Sequence, residues 1–127
     1  MSVYLDNAAT TAVAPEVLEA MIPVLRDTYG NPSSSHAMGR KSRVIVEQNR
    51  RAIASHLHCS SKTIYFTSGG TEADNLALRS AVRDLGCRRI ITSAAEHSAV
   101  IKTAESLARS EGIVLDLVNH HSEGSVD

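Results

Sequence analysis

The sequence predicts an α/β fold: a parallel-type sheet of about three short strands with flanking helices, preceded by an N-terminal arm. Short runs at residues 63–67 (TIYFT), 89–92 (RIIT) and 113–118 (IVLDLV) alternate with helical stripes of about fifteen residues. Three of the changes of element are punctuated by glycine, at Gly69-Gly70, Gly86 and Gly112. Size and composition agree. The chain has 127 residues, 43% hydrophobic and 21% charged, and a chain near this length buries roughly two-thirds of its unfolded surface.

Taken in order, residues 1–14 carry Leu5-Asp6-Asn7-Ala8-Ala9-Thr10-Thr11, small and polar without periodicity. That suits either a structured arm or a frayed terminus. From 15 to 29 the apolar residues Val17, Leu18, Met21, Ile22 and Leu25 recur at spacings of three and four, which is a helix opened by Pro15. Pro23 removes one donor and should kink it, and Gly30-Asn31-Pro32 ends it. Residues 31–36, closing on His36, form a polar loop that reads more readily as a plain connection than as a binding loop. An amphipathic helix over 37–57 follows, with Val46, Ile53 and Leu57 on one face and Arg43, Glu47, Arg50 and Arg51 largely off it. Residues 63–67 then read as a strand, 68–70 as a tight turn and 71–85 as a helix closed by Gly86. A second strand at 89–92, a turn at 93–96 and a helix from about His97 to Glu111, stopped by Gly112, repeat the pattern. The third strand, 113–118, leaves a small sheet for an architecture whose strands need cover on both faces. The organisation expected is an arm over 1–14 and an incomplete domain over 15–127.

Composition excludes several classes of function. Lys and Arg number 13 against 14 Asp and Glu, a formal charge of -1, with no long basic run. Nucleic acids and anionic membranes both call for a concentrated positive field, so neither is an expected partner. Three Tyr, one Phe and no Trp leave little for base stacking. No apolar run approaches the roughly eighteen residues of a spanning helix, and the N-terminus does not read as a signal peptide, so the expected compartment is cytoplasmic. Cys59 and Cys87 lack CxxC spacing, and His120-His121 lacks partners at ligand spacing, so no metal site is expected. No Gly-x-Ser-x-Gly elbow is present to support a hydrolytic triad.

The chemistry is concentrated at two turns. Ser68-Gly69-Gly70-Thr71-Glu72 lies where a predicted strand enters a predicted helix, where glycines admit a ligand close to the backbone and free amides favour an anion. A phosphate group suits it, with Ser68 and Thr71 able to add hydroxyl donors. The Lys of a P-loop and the glycine spacing of a dinucleotide fingerprint are absent. A tight turn with Ser68 or Thr71 serving only as helix cap fits the spacing as well. Glu96-His97 follows the second strand. Ligands of parallel sheets bind outside the strands' carboxyl ends, so His97 is placed to meet what Gly70-Thr71 holds, stacking on a planar ring or exchanging protons. A surface histidine or simple cap satisfies the pattern too.

Four segments together, Tyr4-Leu-Asp-Asn-Ala-Ala-Thr-Thr11, Gly30-Asn-Pro-Ser-Ser-Ser-His36 with Gly39-Arg40, Phe66-Thr-Ser-Gly-Gly-Thr-Glu-Ala-Asp-Asn-Leu-Ala-Leu78 and Glu96-His-Ser-Ala-Val100, resemble the cysteine desulfurases in order and spacing. These are enzymes of the class V aminotransferase group with pyridoxal 5'-phosphate as cofactor. The resemblance spans essentially the whole chain and implies a partial large domain of that transferase fold. By it, Ser68, Gly69, Gly70 and Thr71 belong to the phosphate site, His97 stacks on the pyridine ring as the catalytic histidine, and Ala8, Ala9 and His36 lie near the substrate. It further implies L-cysteine as substrate, L-alanine as product, and a sulfur-acceptor protein fed by an enzyme persulfide for iron–sulfur cluster assembly, tRNA thiolation or cofactor synthesis. Homo-oligomerisation is implied as well.

The departure from the family is one of extent. Full-length members are about three times longer and carry a lysine in a Ser-x-His-Lys context; Lys41, Lys62 and Lys102 have no such context. Neither Cys59 nor Cys87 matches the nucleophilic cysteine loop. The chain therefore resembles the N-terminal third of a desulfurase, expected to be inactive alone. A selenocysteine lyase or class V aminotransferase fragment, or a non-catalytic phosphate-binding module, are the alternatives.

Overall fold

The computed structural model describes residues 3–121 and 123–125. In chain order the elements are α1 (Pro15–Asp27), α2 (Ala37–His56), a 3-10 turn (Ser61–Thr63), α3 (Gly70–Arg83), β1 (Arg89–Ser93), α4 (Ser98–Glu111) and β2 (Val114–Val118). They fall into two compact units, Met1–Tyr65 and Phe66–Asp127.

In the first unit, residues 3–14 lack regular structure apart from a turn at 7–9, where the Ala9 amide donates to Asp6 O at 3.1 Å. Pro15 opens α1 with Glu16 in its first turn and Arg26 in its last, charges that suit the helix dipole. The helix runs on through Pro23, whose missing N–H deprives the Glu19 carbonyl of its usual donor. No residue of α1 is buried, and its apolar stripe, from Val17 to Leu25, stays open. Between α1 and α2 lies a groove of about 470 Å³ lined by Val17, Met21 and Leu25 on one side and Ile45 and Asn49 on the other.

The loop at 31–36 is tightly built. Asn31 accepts from the Ser33 amide through Oδ1 (2.8 Å) and from the Ser34 amide through its carbonyl (3.0 Å). Arg43 Nε donates to Pro32 O at 2.7 Å, and Arg40 donates to Ser35 O. Gly39 is required by close approach: a Cβ there would lie 2.6 Å from both Asn31 O and Ser34 O.

The predicted strand at 63–67 is not one. Residues 61–63 form the 3-10 turn, and 64–67 are irregular, outside any ladder. The backbone groups of Ile64 are satisfied locally instead: its amide donates to Ser61 O, and its carbonyl accepts from the Arg50 guanidinium. The sheet among the described residues therefore has two strands where about three were expected.

The second unit carries that sheet. Strands β1 and β2 pair in parallel, Arg89 opposite Val114 through Ser93 opposite Val118. The connection between them is α4, as a parallel pair demands. Gly112 ends α4 in the left-handed region at φ 65, the conformation that glycine adopts at low cost. The core is small: Val82 of α3, Leu107 of α4 and Ile113 are buried, with Leu78, Ile90 and Ala108 packed against them.

Two side-chain links tie α3 to α4. Thr103 Oγ1 donates to Asn75 Oδ1 at 2.8 Å, and Arg83 pairs with Glu111 at 2.8 Å. Asn75 and Thr103 are each the sixth residue of their helices, and Arg83 and Glu111 each the fourteenth. Contacts at equal depth near both ends mean that the helices lie parallel with no stagger. Their N-termini therefore sit at the same end of the pair.

Candidate functional site

That shared end carries the two turns singled out by the sequence. Gly69 caps α3 in an extended conformation and supplies no side chain. The first helical bond runs from the Ala73 amide to Gly69 O at 3.1 Å, so the amides of Gly70, Thr71 and Glu72 have no partner within the helix. Glu72 does not turn toward them. Its Oε2 reaches back to accept from the Ser68 amide (2.6 Å) and the Ser68 hydroxyl (2.7 Å), and these two donors hold its carboxyl below the usual glutamate range. The Ser68 proton is thus given to Glu72, whereas the Thr71 hydroxyl makes no hydrogen bond among the described residues.

Glycine at 69 and 70 is not explained by the chain's own packing. Neither residue has a left-handed φ, and a Cβ at either would meet nothing within 4 Å. What the two glycines leave is open space directly against amides that have no partner among the described residues, beside the Thr71 hydroxyl, the donor set that a phosphate monoester takes. The residues present fit the phosphate of pyridoxal phosphate.

His97 is the N-cap of α4, whose first helical residue, Ser98, comes one residue later than the start expected at about His97. Its Nδ1 accepts from the Ala99 amide at 3.2 Å, which places the ring proton on Nε2. The turn ahead of it is braced by Ser93, buried, whose Oγ accepts from the Ala95 amide (3.1 Å) and whose carbonyl accepts from the Glu96 amide (3.2 Å). The ring is exposed and fixed at its base. The shared edge expected of these two turns thus follows from the register of α3 and α4, since the segment before Ser68 is not in the sheet.

His36, Ala8 and Ala9 belong to the first unit, all exposed. His36 is also a cap: its Nδ1 accepts from the Gly39 amide at 3.3 Å. Ala8 and Ala9 form the turn of the arm. Cys59 and Cys87 are free and exposed. Among the described residues no group of three or more His, Cys, Asp or Glu is arranged to hold a metal ion, and no helix is long and apolar enough to cross a membrane.

Two residues of this end drew no attention in the sequence. Asn75 donates from Nδ2 to Thr71 O at 2.8 Å and accepts from Thr103. The available signal was Thr103, a polar residue on the face of α4 that buries Ala99, Ala104 and Leu107.

The chain resembles a cysteine desulfurase of Cereibacter sphaeroides, 44% identical over 127 residues, which takes in 98% of this chain and 33% of that protein. Among solved structures, a NifS-like protein superposes on 100% of this chain and 35% of its own with a TM-score of 0.88 at 40% identity. A second, described as SspA in complex with cysteine, covers 89% of this chain and 33% of its own with a TM-score of 0.77 at 34% identity. The chain spans about a third of the length of the relatives it matches. Members of the class V aminotransferase family use pyridoxal phosphate. The family model "Aminotransferase class-V" matches residues 3–127, and the chain, with its small parallel sheet joined through α4, belongs to that family.

Proposed function

We propose that this chain supplies the phosphate cradle and the ring-facing histidine of a pyridoxal-phosphate-dependent cysteine desulfurase, the enzyme class that converts L-cysteine to L-alanine and passes the sulfur to an enzyme persulfide. The observation that carries the reading is the open space at Gly69 and Gly70 against the unpaired amides of α3. The desulfurase names of the relatives, and the cysteine complex of one structural neighbour, support the substrate class.

The amides of Gly70 and Thr71 and the Thr71 hydroxyl bind the phosphate. Ser68 and Glu72 lock the turn that presents them. His97 lies against the ring, positioned through Nδ1 by its cap, with Nε2–H as the donor it presents there. Ala8, Ala9 and His36 are assigned to the substrate side. When bound, the cofactor supplies the electron sink that weakens bonds at the substrate's α-carbon. A carrier lysine and a sulfur-accepting thiolate are also needed, and Lys41, Lys62, Lys102, Cys59 and Cys87 lie outside the family contexts for them. The chain alone therefore binds the cofactor without turnover, and the active form is a cytoplasmic homo-oligomer that hands sulfur to an acceptor protein.

The test is titration with pyridoxal phosphate, read by the cofactor's absorbance and the amide resonances of residues 69–72, then assay of alanine release from L-cysteine. Binding at those amides without alanine is expected, weakened by Thr71→Val and with an altered absorption band in His97→Ala. Undisturbed Gly70 and Thr71 amides would overturn the cradle. Sustained alanine release by the chain alone would overturn its dependence on further residues.

A further inference from the structure

We propose that Asn75 and Thr103 are positioning residues for the phosphate turn, fixing its first helical turn to the interior of α4 and so setting its place relative to His97. This rests on reading Gly70–Thr71 as the cradle. Thr103 is buried, 5% exposed, on the core-facing side of α4, and donates its hydroxyl to Asn75 Oδ1 at 2.8 Å. Asn75 Nδ2 donates to Thr71 O at 2.8 Å. The amide orientation is fixed by chemistry: with the group flipped, Oδ1 would face the Thr71 carbonyl and two acceptors would oppose each other.

Through this chain of bonds the Thr71–Glu72 peptide is held from outside its own helix. First turns fray because their amides lack partners, so an external tie matters most there. Asn75 stands four residues, about 6 Å, beyond Thr71 along α3, and Thr103 six residues, about 9 Å, beyond His97 along α4. One hydrogen bond therefore gauges the distance between the phosphate-holding turn and the capping histidine. An apolar pair at 75 and 103 would pack the helices together without the side-chain bond that ties the Thr71 carbonyl to α4. Asparagine is also among the poorer helix formers, so its presence at mid-helix is not accounted for by propensity.

The experiment titrates the ¹⁵N-labelled chain with inorganic phosphate and with pyridoxal phosphate, following the Gly70 and Thr71 amides, alongside thermal melting. In Asn75→Ala the Thr103 hydroxyl can turn to the carbonyl four residues back, so no buried donor is stranded and the variant keeps its fold. The folded protein should bind both probes about tenfold more weakly, with shifted unliganded Thr71 and Glu72 amide resonances. Thr103→Val should do the same, and Thr103→Ser, which retains the hydroxyl, should bind within about twofold of the unaltered chain. Unchanged affinity in folded Asn75→Ala, even with a lowered melting temperature, would make the pair merely structural and overturn the inference while leaving the cradle intact. Failure of the unaltered chain to bind either probe would instead overturn the cradle and the inference with it.

Discussion

One carboxylate oxygen of Glu72 takes two hydrogen bonds from a single residue, 2.6 Å from the amide of Ser68 and 2.7 Å from its hydroxyl. The third residue of α3 is thereby bound to the residue before its cap, a variant of the capping box in which the cap itself, Gly69, has no side chain to give. Both donors favour the ionised carboxylate and lower its pKa in the folded chain.

A stability contribution of this kind is complete above the unfolded glutamate pKa, about 4.3, and is lost as pH falls through the lower folded value. Melting temperatures of the unaltered chain and Glu72→Gln should differ by a constant amount above about pH 5.5 and converge in acid. A difference that stayed constant down to about pH 2.5 would contradict the assignment. Glu72 is exposed, so the effect is small.

Gly70→Ala separates folding from binding. Its Cβ meets nothing within 4 Å in the chain, so the substitution should leave stability unchanged or raise it by up to about 1 kcal/mol. Phosphate affinity should fall at least about tenfold, because the methyl group enters the space assigned to the ligand. Urea unfolding and phosphate titration of one sample decide it, and equal affinity would count against the cradle.

At Gly39 the same substitution should act oppositely. A Cβ would stand 2.6 Å from two backbone oxygens, Asn31 O and Ser34 O, neither of them the end of a flexible side chain. The loop or α2 has to shift, at a cost of about 1–3 kcal/mol, the range for overpacked sites. Denaturant melts should show the loss, and Gly39→Ala as stable as the unaltered chain would mean that the loop yields freely.

Helices were legible because their signals are local. Pro15, Gly112 and the apolar stripes mark α1 and α4 to within about two residues, and His97 stands at the start of a helix, as its cap. The segment at 63–67 misled because Ile64, Tyr65 and Phe66 suit a strand, while pairing depends on a neighbouring strand and the Arg50 guanidinium takes the Ile64 carbonyl instead. The glycine turn at a helix start was visible in the sequence; that Ser68 donates to Glu72 was not, because the same residues serve a ligand-binding or a capping arrangement equally well. Asn75 and Thr103 were illegible as a pair. They lie 28 residues apart, and only the packing of α3 on α4 brings them into contact.

The level alignment of those helices also governs which changes of length the chain can absorb. Two helices of fourteen residues are joined by residues 84–97, so both cross-links repeat at one separation. An extra residue between Thr71 and Asn75, or between His97 and Thr103, advances the helix by about 1.5 Å and rotates every later position by about 100°. That carries Asn75 or Thr103 off the facing side and changes the distance from tie to turn. The same insertion in the loops at 84–88 or 94–96 can bulge into solvent and leave both helices level. Length variation among related sequences should therefore collect in those two loops and spare the first two turns of each helix.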